Sequence, residues 1–266
     1  MKTFKTAALA ICACIGSATV AQAQVQPGIF GPEETRPGTS FGVPYLRFAI
    51  GGELATFEDA YWDPPGADDP RVFYDLPDER AAMGAIAFGY DWGKGLRGEI
   101  AIMGFGEKDV AAPWSYTEPA TEGPHASMSA TVRSGALMAN AFVAPLEMQG
   151  NTGRFQPFVM AGIGTARNEM GDWTRTNPAS DRVTRTFEGD TKSDLAWAVG
   201  FGFAYQLNDP GKKPIMLEMM YQHVDLGRAE GGSASTPGDG DSEPRTPFGF
   251  DIASDNVSVG IRIPVR

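Results

Sequence analysis

The chain has two histidines. His125 stands two residues before Ser127 in "PHASM". Residues two apart in a strand share a face. Histidine beside a serine hydroxyl is the minimum for a general base and a nucleophile, and a nearby carboxylate would complete an acyl-transfer triad. The next strand carries no acid at that level, and Glu147 falls at the opposite end. The pair is therefore expected to be structural: a loop-end histidine and a small strand residue. His223 is expected at an external rim. A second candidate is "GDGDSE" (238–243), where Asp239, Asp241 and Glu243 are spaced like calcium ligands. Pro244 stands where the turn glycine of such a loop belongs, and the terminal glutamate is missing. A hydrated acidic loop is expected there. The sequence shows no phosphate loop, nucleotide fingerprint or strong metal constellation, so no catalytic residue, metal or cofactor is expected.

Six further charges stand in a different context. Arg47, Arg97 and Arg262, with Glu53, Glu99 and Glu218, lie inside segments that are otherwise apolar. In "LAWAVGFGFAYQL" (195–207), Leu195, Trp197, Val199, Phe201, Phe203, Tyr205 and Leu207 alternate with Ala, Gly and Gln206. A strand sends these two sets to opposite faces. A helix would mix them and hold two interior glycines, at about 1 kcal/mol each. Residues 44–54, 95–107, 154–166, 214–224 and 255–265 alternate in the same way, and 80–90 and 128–144 less cleanly. Asn140 is placed on the small or polar face of 128–144. Eight strands result.

Their connections alternate in length. Those near 91–95, 147–153 and 208–214 are short and rich in turn residues. Those near 55–79, 107–127, 167–193 and 226–250 are long, rich in Pro, Gly, Ser, Thr and acids, and show no core pattern. Three short turns and four long loops describe an antiparallel up-and-down meander. The fold expected is all-β: an eight-stranded transmembrane barrel with short periplasmic turns and four long, mobile external loops. The second face decides for membrane over water, because Gly and Ala make a poor solvated surface. They do suit the interior of a narrow barrel, which side chains fill. Bulk then faces lipid, with Tyr90, Trp92 and Tyr205 near an interface. The six charges face the lumen and pair across it as a plug, since buried charges persist only when paired. The stretch 56–80 is acidic and expected to stay hydrated.

Lys2 and Lys5 precede an apolar run from Ala7 to Val20 and then Ala21-Gln22-Ala23. This reads as a secretory signal peptide over 1–23, followed by a segment 24–43 and the barrel over 44–266. Cys12 and Cys14 would leave with the signal, and with them any disulfide or thiol chemistry. Removing two lysines and no acids takes the formal charge from −11 to −13. An acidic surface without a basic stripe repels nucleic acid. Beyond the signal no run of 18 apolar residues exists, which excludes a helical span.

The stretches "FQPFVMAGIGTAR" (155–167), "FGYDWGKGLRGEIAI" (88–102), "AWAVGFGFAYQLND" (196–209) and "LEMMYQHVDLG" (217–227) resemble strands of bacterial outer-membrane β-barrels. That family includes OmpA-like barrels and the opacity and surface-antigen proteins. The resemblance implies a monomer in the outer membrane, in contact with lipid, lipopolysaccharide, the barrel-insertion machinery and an extracellular partner of the loops. It says little about activity; the role expected is structural or surface-interacting, without catalysis. Two alternatives within such barrels are a small porin-like diffusion channel and a lipid-A-modifying enzyme, the latter through His125 and Ser127. A soluble lipocalin-like binder is a fourth. Many such barrels end in an aromatic residue; this chain ends "GIRIPVR".

Overall fold

Each alternating segment becomes a strand, and most of these strands run further than the alternation of large and small residues that signals them. The computed structural model describes residues 42–180, 182–209, 212–235 and 243–265. The proposed signal peptide, residues 24–41, most of "GDGDSE" and Arg266 lie outside them. The strands are β1 (Val43–Asp63), β2 (Arg71–Tyr74), β3 (Glu79–Gly93), β4 (Leu96–Ala112), β5 (Trp114–Glu118) and β6 (Ser127–Val143). There follow β7 (Phe155–Met170), β8 (Trp173–Asn177), β9 (Arg182–Phe187), β10 (Asp190–Gln206), β11 (Met216–Glu230) and β12 (Thr246–Pro264). A single helical turn, α1 (Pro145–Met148), sits in the connection from β6 to β7. Among the described residues no helix is long and apolar enough to cross a membrane.

All the long strands pair antiparallel with their neighbours, in the order β12-β11-β10-β7-β6-β4-β3-β1. The pairing of β1 with β12, from Tyr45 opposite Pro264 to Asp63 opposite Thr246, closes the ring. The result is a closed eight-stranded barrel without a free edge. Tight interior fit explains some of the glycines: a Cβ on Gly89 would collide with the Tyr45 ring, and one on Gly162 with the Asn140 amide.

The long connections differ from expectation. β1, β4, β7, β10, β11 and β12 all continue into them, and β2, β5, β8 and β9 lie wholly within them. β2 pairs with β1 and β5, while β8 pairs with β6 and β9. These segments carry a core. Phe57, Trp62, Val72, Tyr74, Val110, Met170, Trp173, Phe187, Leu226, Phe248 and Phe250 are all buried. Trp173 stacks on Phe187 with centroids 3.9 Å apart and meets Trp62 edge-on at 6.2 Å. Tyr74 and Phe57 meet Phe248 and Phe250 edge-on at 5.5 and 5.2 Å. The acidic stretch 56–80 is likewise structured, with Asp63 gripped by Arg71 at 2.8 and 2.9 Å.

The physical reason is a change of solvent along each strand. Within the belt the outward face is large and apolar, while the inward face mixes Ala and Gly with paired charges and a few large side chains such as Tyr45, Phe142 and Phe158. Beyond that belt the outer face meets water, so bulk turns inward, as in a soluble barrel. On β1 the inward residues Tyr45, Arg47, Ala49, Glu53 and Ala55 give way to Phe57. A bulge at Asp59, with φ 48°, then shifts the phase, so that Ala60 and Trp62 are the buried residues.

Candidate functional site

The lumen near the short turns contains the largest group of buried charges. Arg47 donates to both oxygens of Glu99, through Nη2 and, at 3.1 Å, through Nε. Glu99 also accepts from the Tyr45 hydroxyl at 3.1 Å and from Asn140 Nδ2 at 3.3 Å. Across the lumen Glu218 accepts from Arg97 Nη1 and, at 2.8 Å, from Arg262 Nε. Arg262 Nη1 donates to Asp91 at 2.9 Å. The Arg97 guanidinium lies over the rings of Phe142 at 4.2 Å and Phe158 at 4.6 Å. Three arginines thus meet three carboxylates, and this layer is neutral.

A second layer lies higher. Glu53 accepts from Lys108 Nζ and, at 2.6 Å, from the Ser254 hydroxyl. Both side chains of the Lys108–Glu53 pair are fully buried. Glu53 is therefore matched with Lys108, whereas the sequence reading set it against the arginines. Lys108 and Asp91 are the two lumen charges that reading missed. Asp91 sits beside a turn and was assigned to it. Lys108 falls in the long connection 107–127 of that reading, and a bulge between Phe105 and Lys108 reverses the parity of β4, so counting on by twos would also place it outside. The one signal in the sequence was Glu53 itself, an acid without an arginine at its level. The third layer is the aromatic core described above.

The other sequence candidates lie elsewhere. His125 Nε2 is 3.0 Å from Thr121 Oγ1, and its ring meets Trp114 edge-on at 5.1 Å. Ser127 is opposite Thr176 of β8. His223 Nδ1 lies 2.9 Å from Asp255, and its ring lies against Trp197. Among the described residues no group of three or more His, Cys, Asp or Glu could hold a metal ion.

The outer face completes the picture. Phe48, Ile50, Ile86, Phe88, Ile100, Ile102, Ile163, Leu195, Phe201, Phe203, Val257 and Val259 are large, apolar and exposed. On β10 the band runs from Leu195 to Tyr205. The roughly ten steps between them, at about 3.4 Å each and tilted by roughly 40°, span about 25 Å, the height of a transmembrane apolar band. Tyr90, Trp92 and Tyr205 are exposed where this band ends at the short turns. The chain is a transmembrane β-barrel of eight strands. No protein-family model and no curated protein matches its sequence. Among solved structures it is similar to neisserial surface protein A (NspA), at 12% identity over 84% of this chain and 97% of that one, with TM-score 0.41. It is similar also to the outer-membrane protein OprG of Pseudomonas aeruginosa, at 12% identity over 85% and 99% of the two chains, TM-score 0.45. The outer-membrane protease OmpT of Escherichia coli matches at 10% identity over 88% and 100%, TM-score 0.47. These likenesses are of fold alone.

The belt makes a direct prediction. Phe201 and Thr191 are exposed on the outer face of the same strand, Phe201 within the band and Thr191 beyond it. Phe201→Arg is expected to destabilise the barrel in lipid by about 2–4 kcal/mol, and Thr191→Arg by about 0–1 kcal/mol. Refolding into lipid vesicles measures both, and equal tolerance would contradict the placement of the band.

Proposed function

We propose that this barrel is a non-enzymatic outer-membrane protein: a closed monomer whose raised external end serves in surface interaction. One observation carries the reading, which is the filling of the lumen at three successive levels. The Arg47–Glu99 and Glu218 clusters occupy the lower level, Lys108–Glu53 the next, and the Trp173–Phe187–Phe248 core the top. A lumen so filled favours a plug over a water path, and paired charges give mobile ions no unbalanced site to visit. The external end suits recognition because it is broad, built on strands and raised clear of the bilayer. Lipid, lipopolysaccharide and the insertion machinery are the expected contacts of the belt.

Planar-bilayer recording on the unmodified protein tests the plug. No steady conductance is expected, and a stable, reproducible open channel would give first place to the small-channel reading. Incubation with lipopolysaccharide tests the absence of catalysis. Release of fatty acid by the parent, lost in Ser127→Ala, would establish an enzyme instead.

A further inference from the structure

Arg47 and Arg71 each grip a carboxylate with the same edge of the guanidinium, the one that carries Nε and Nη2. On Arg97 that edge has no hydrogen-bond partner among the described residues, although the side chain is more than nine-tenths buried. Its Nη1 is committed to Glu218, and its flat surface lies against the rings of Phe142 and Phe158. The donors of a guanidinium lie in its plane, so the rings hold the edge in position without satisfying it. Buried donors require an acceptor.

Gln156 presents the opposite need. It is buried, and its Nε2 donates to the carbonyls of Gly153 at 2.8 Å and Asn151 at 3.0 Å. These two acceptors fix which end of the amide is nitrogen. Oε1 is left buried and without a partner among the described residues, and it requires a donor. Arg97 and Gln156 line one cavity of about 20 Å³ on the short-turn side of the charged layer. Gly95, Ala144 and Pro214 bring all three short connections to its wall.

Size and chemistry select the occupant. A water needs about 10–15 Å³, so the space takes one water and excludes a sugar or a phosphate ester. A small anion such as chloride would suit the Arg97 edge but would be repelled by the amide oxygen. Asp91 and Glu147 line the same cavity and disfavour an anion further. Water is the smallest group that both accepts and donates.

We infer that this cavity binds one long-lived water, which accepts from Arg97 Nε and Nη2 and donates to Gln156 Oε1. Three hydrogen bonds are usual for a buried water. The water joins the charged plug to the β6–β7 connection, through Gln156 and the carbonyls of Asn151 and Gly153. It is neutral, so Glu218 remains the carboxylate of Arg97. The site rests on the geometry of the lumen and not on the role proposed for the external end.

A crystal structure of the refolded protein, grown in bromide and fine enough to show ordered water, tests the site. Density for one water is expected within hydrogen-bonding distance of all three atoms, with no anomalous signal from bromide there. Nuclear magnetic resonance of the barrel in micelles is expected to show a long-lived water in contact with the Arg97 Nε–H. Gln156→Leu removes the acceptor and is expected to abolish that long-lived contact in a barrel that still folds. Bracing of the connection by Gln156 would not by itself move a water signal at Arg97. A direct contact between Arg97 and Gln156, no density between them, a bromide at the Arg97 edge, or unchanged water residence in folded Gln156→Leu would each overturn the proposal. Should Gln156→Leu fail to fold, the parent crystal structure decides alone.

Discussion

Glu218→Ala is expected to lower the stability of the barrel by about 3–5 kcal/mol, because it leaves buried cations without their carboxylate. Glu218 serves two arginines. Arg262 keeps Asp91 when Glu218 is lost, at 2.9 Å. Arg97 keeps only the faces of Phe142 and Phe158. Its Nε and Nη2 are buried without a hydrogen-bond partner among the described residues, so Nη1 on Glu218 is its one strong contact. Ring faces attract a cation by about 0.5–2 kcal/mol, well short of a buried carboxylate. Glu107→Ala provides the comparison. Its pair with Arg133, at 2.8 Å, has both side chains more than half exposed. Such a pair contributes about 0–1 kcal/mol. Urea unfolding in lipid vesicles measures both. Glu218→Gln should fall between parent and alanine, since it keeps an acceptor but loses the charge. Equal midpoints for Glu218→Ala and Glu107→Ala would remove the argument for a structural plug.

Trp173→Ala is expected to cost about 3–5 kcal/mol at the external end, the range for deleting a buried aromatic side chain. Trp173 is fully buried and ties four elements together. It stacks on Phe187 of β9, meets Trp62 of β1 and Phe248 of β12, and donates from Nε1 to the carbonyl of Gly232 at 2.9 Å. The loss should be local, because the charged layers near the short turns make no use of it. The variant is expected to insert and close as a barrel while its β8–β9 hairpin becomes open to protease. Limited proteolysis of parent and variant in lipid, with cut sites mapped, checks this. If the hairpin of the variant resisted protease as the parent's does, the aromatic core would not be what orders the external end.

The two substitutions probe different solvents, and that difference separates what the sequence determined from what it could not. Within the bilayer the rule is local. Lipid demands bulk outside and a narrow lumen demands small residues inside, so Phe201, Gly202, Phe203 and Ala204 announce strand, face and membrane from four letters. The short turns, the number of strands and the inward placement of Arg47, Glu99 and Glu218 follow from the same period of two.

Past the belt the rule inverts, and nothing local marks where. Phe57, Trp173 and Phe248 are large residues on inward faces, and the stretches around them are as rich in Pro, Gly and acids as ordinary loops. Their burial depends on one another across the barrel mouth, between positions at least 75 residues apart. Tertiary structure alone could join them. Bulges hid more: Asp59 and the step between Phe105 and Lys108 each shift the parity, so Lys108 reaches Glu53 from what counting by twos makes the outer face. The sequence determined the barrel within the membrane because the two faces there meet different media. Only the closed structure decided the external end, because there the core forms between segments whose own sequences carry no trace of their partners.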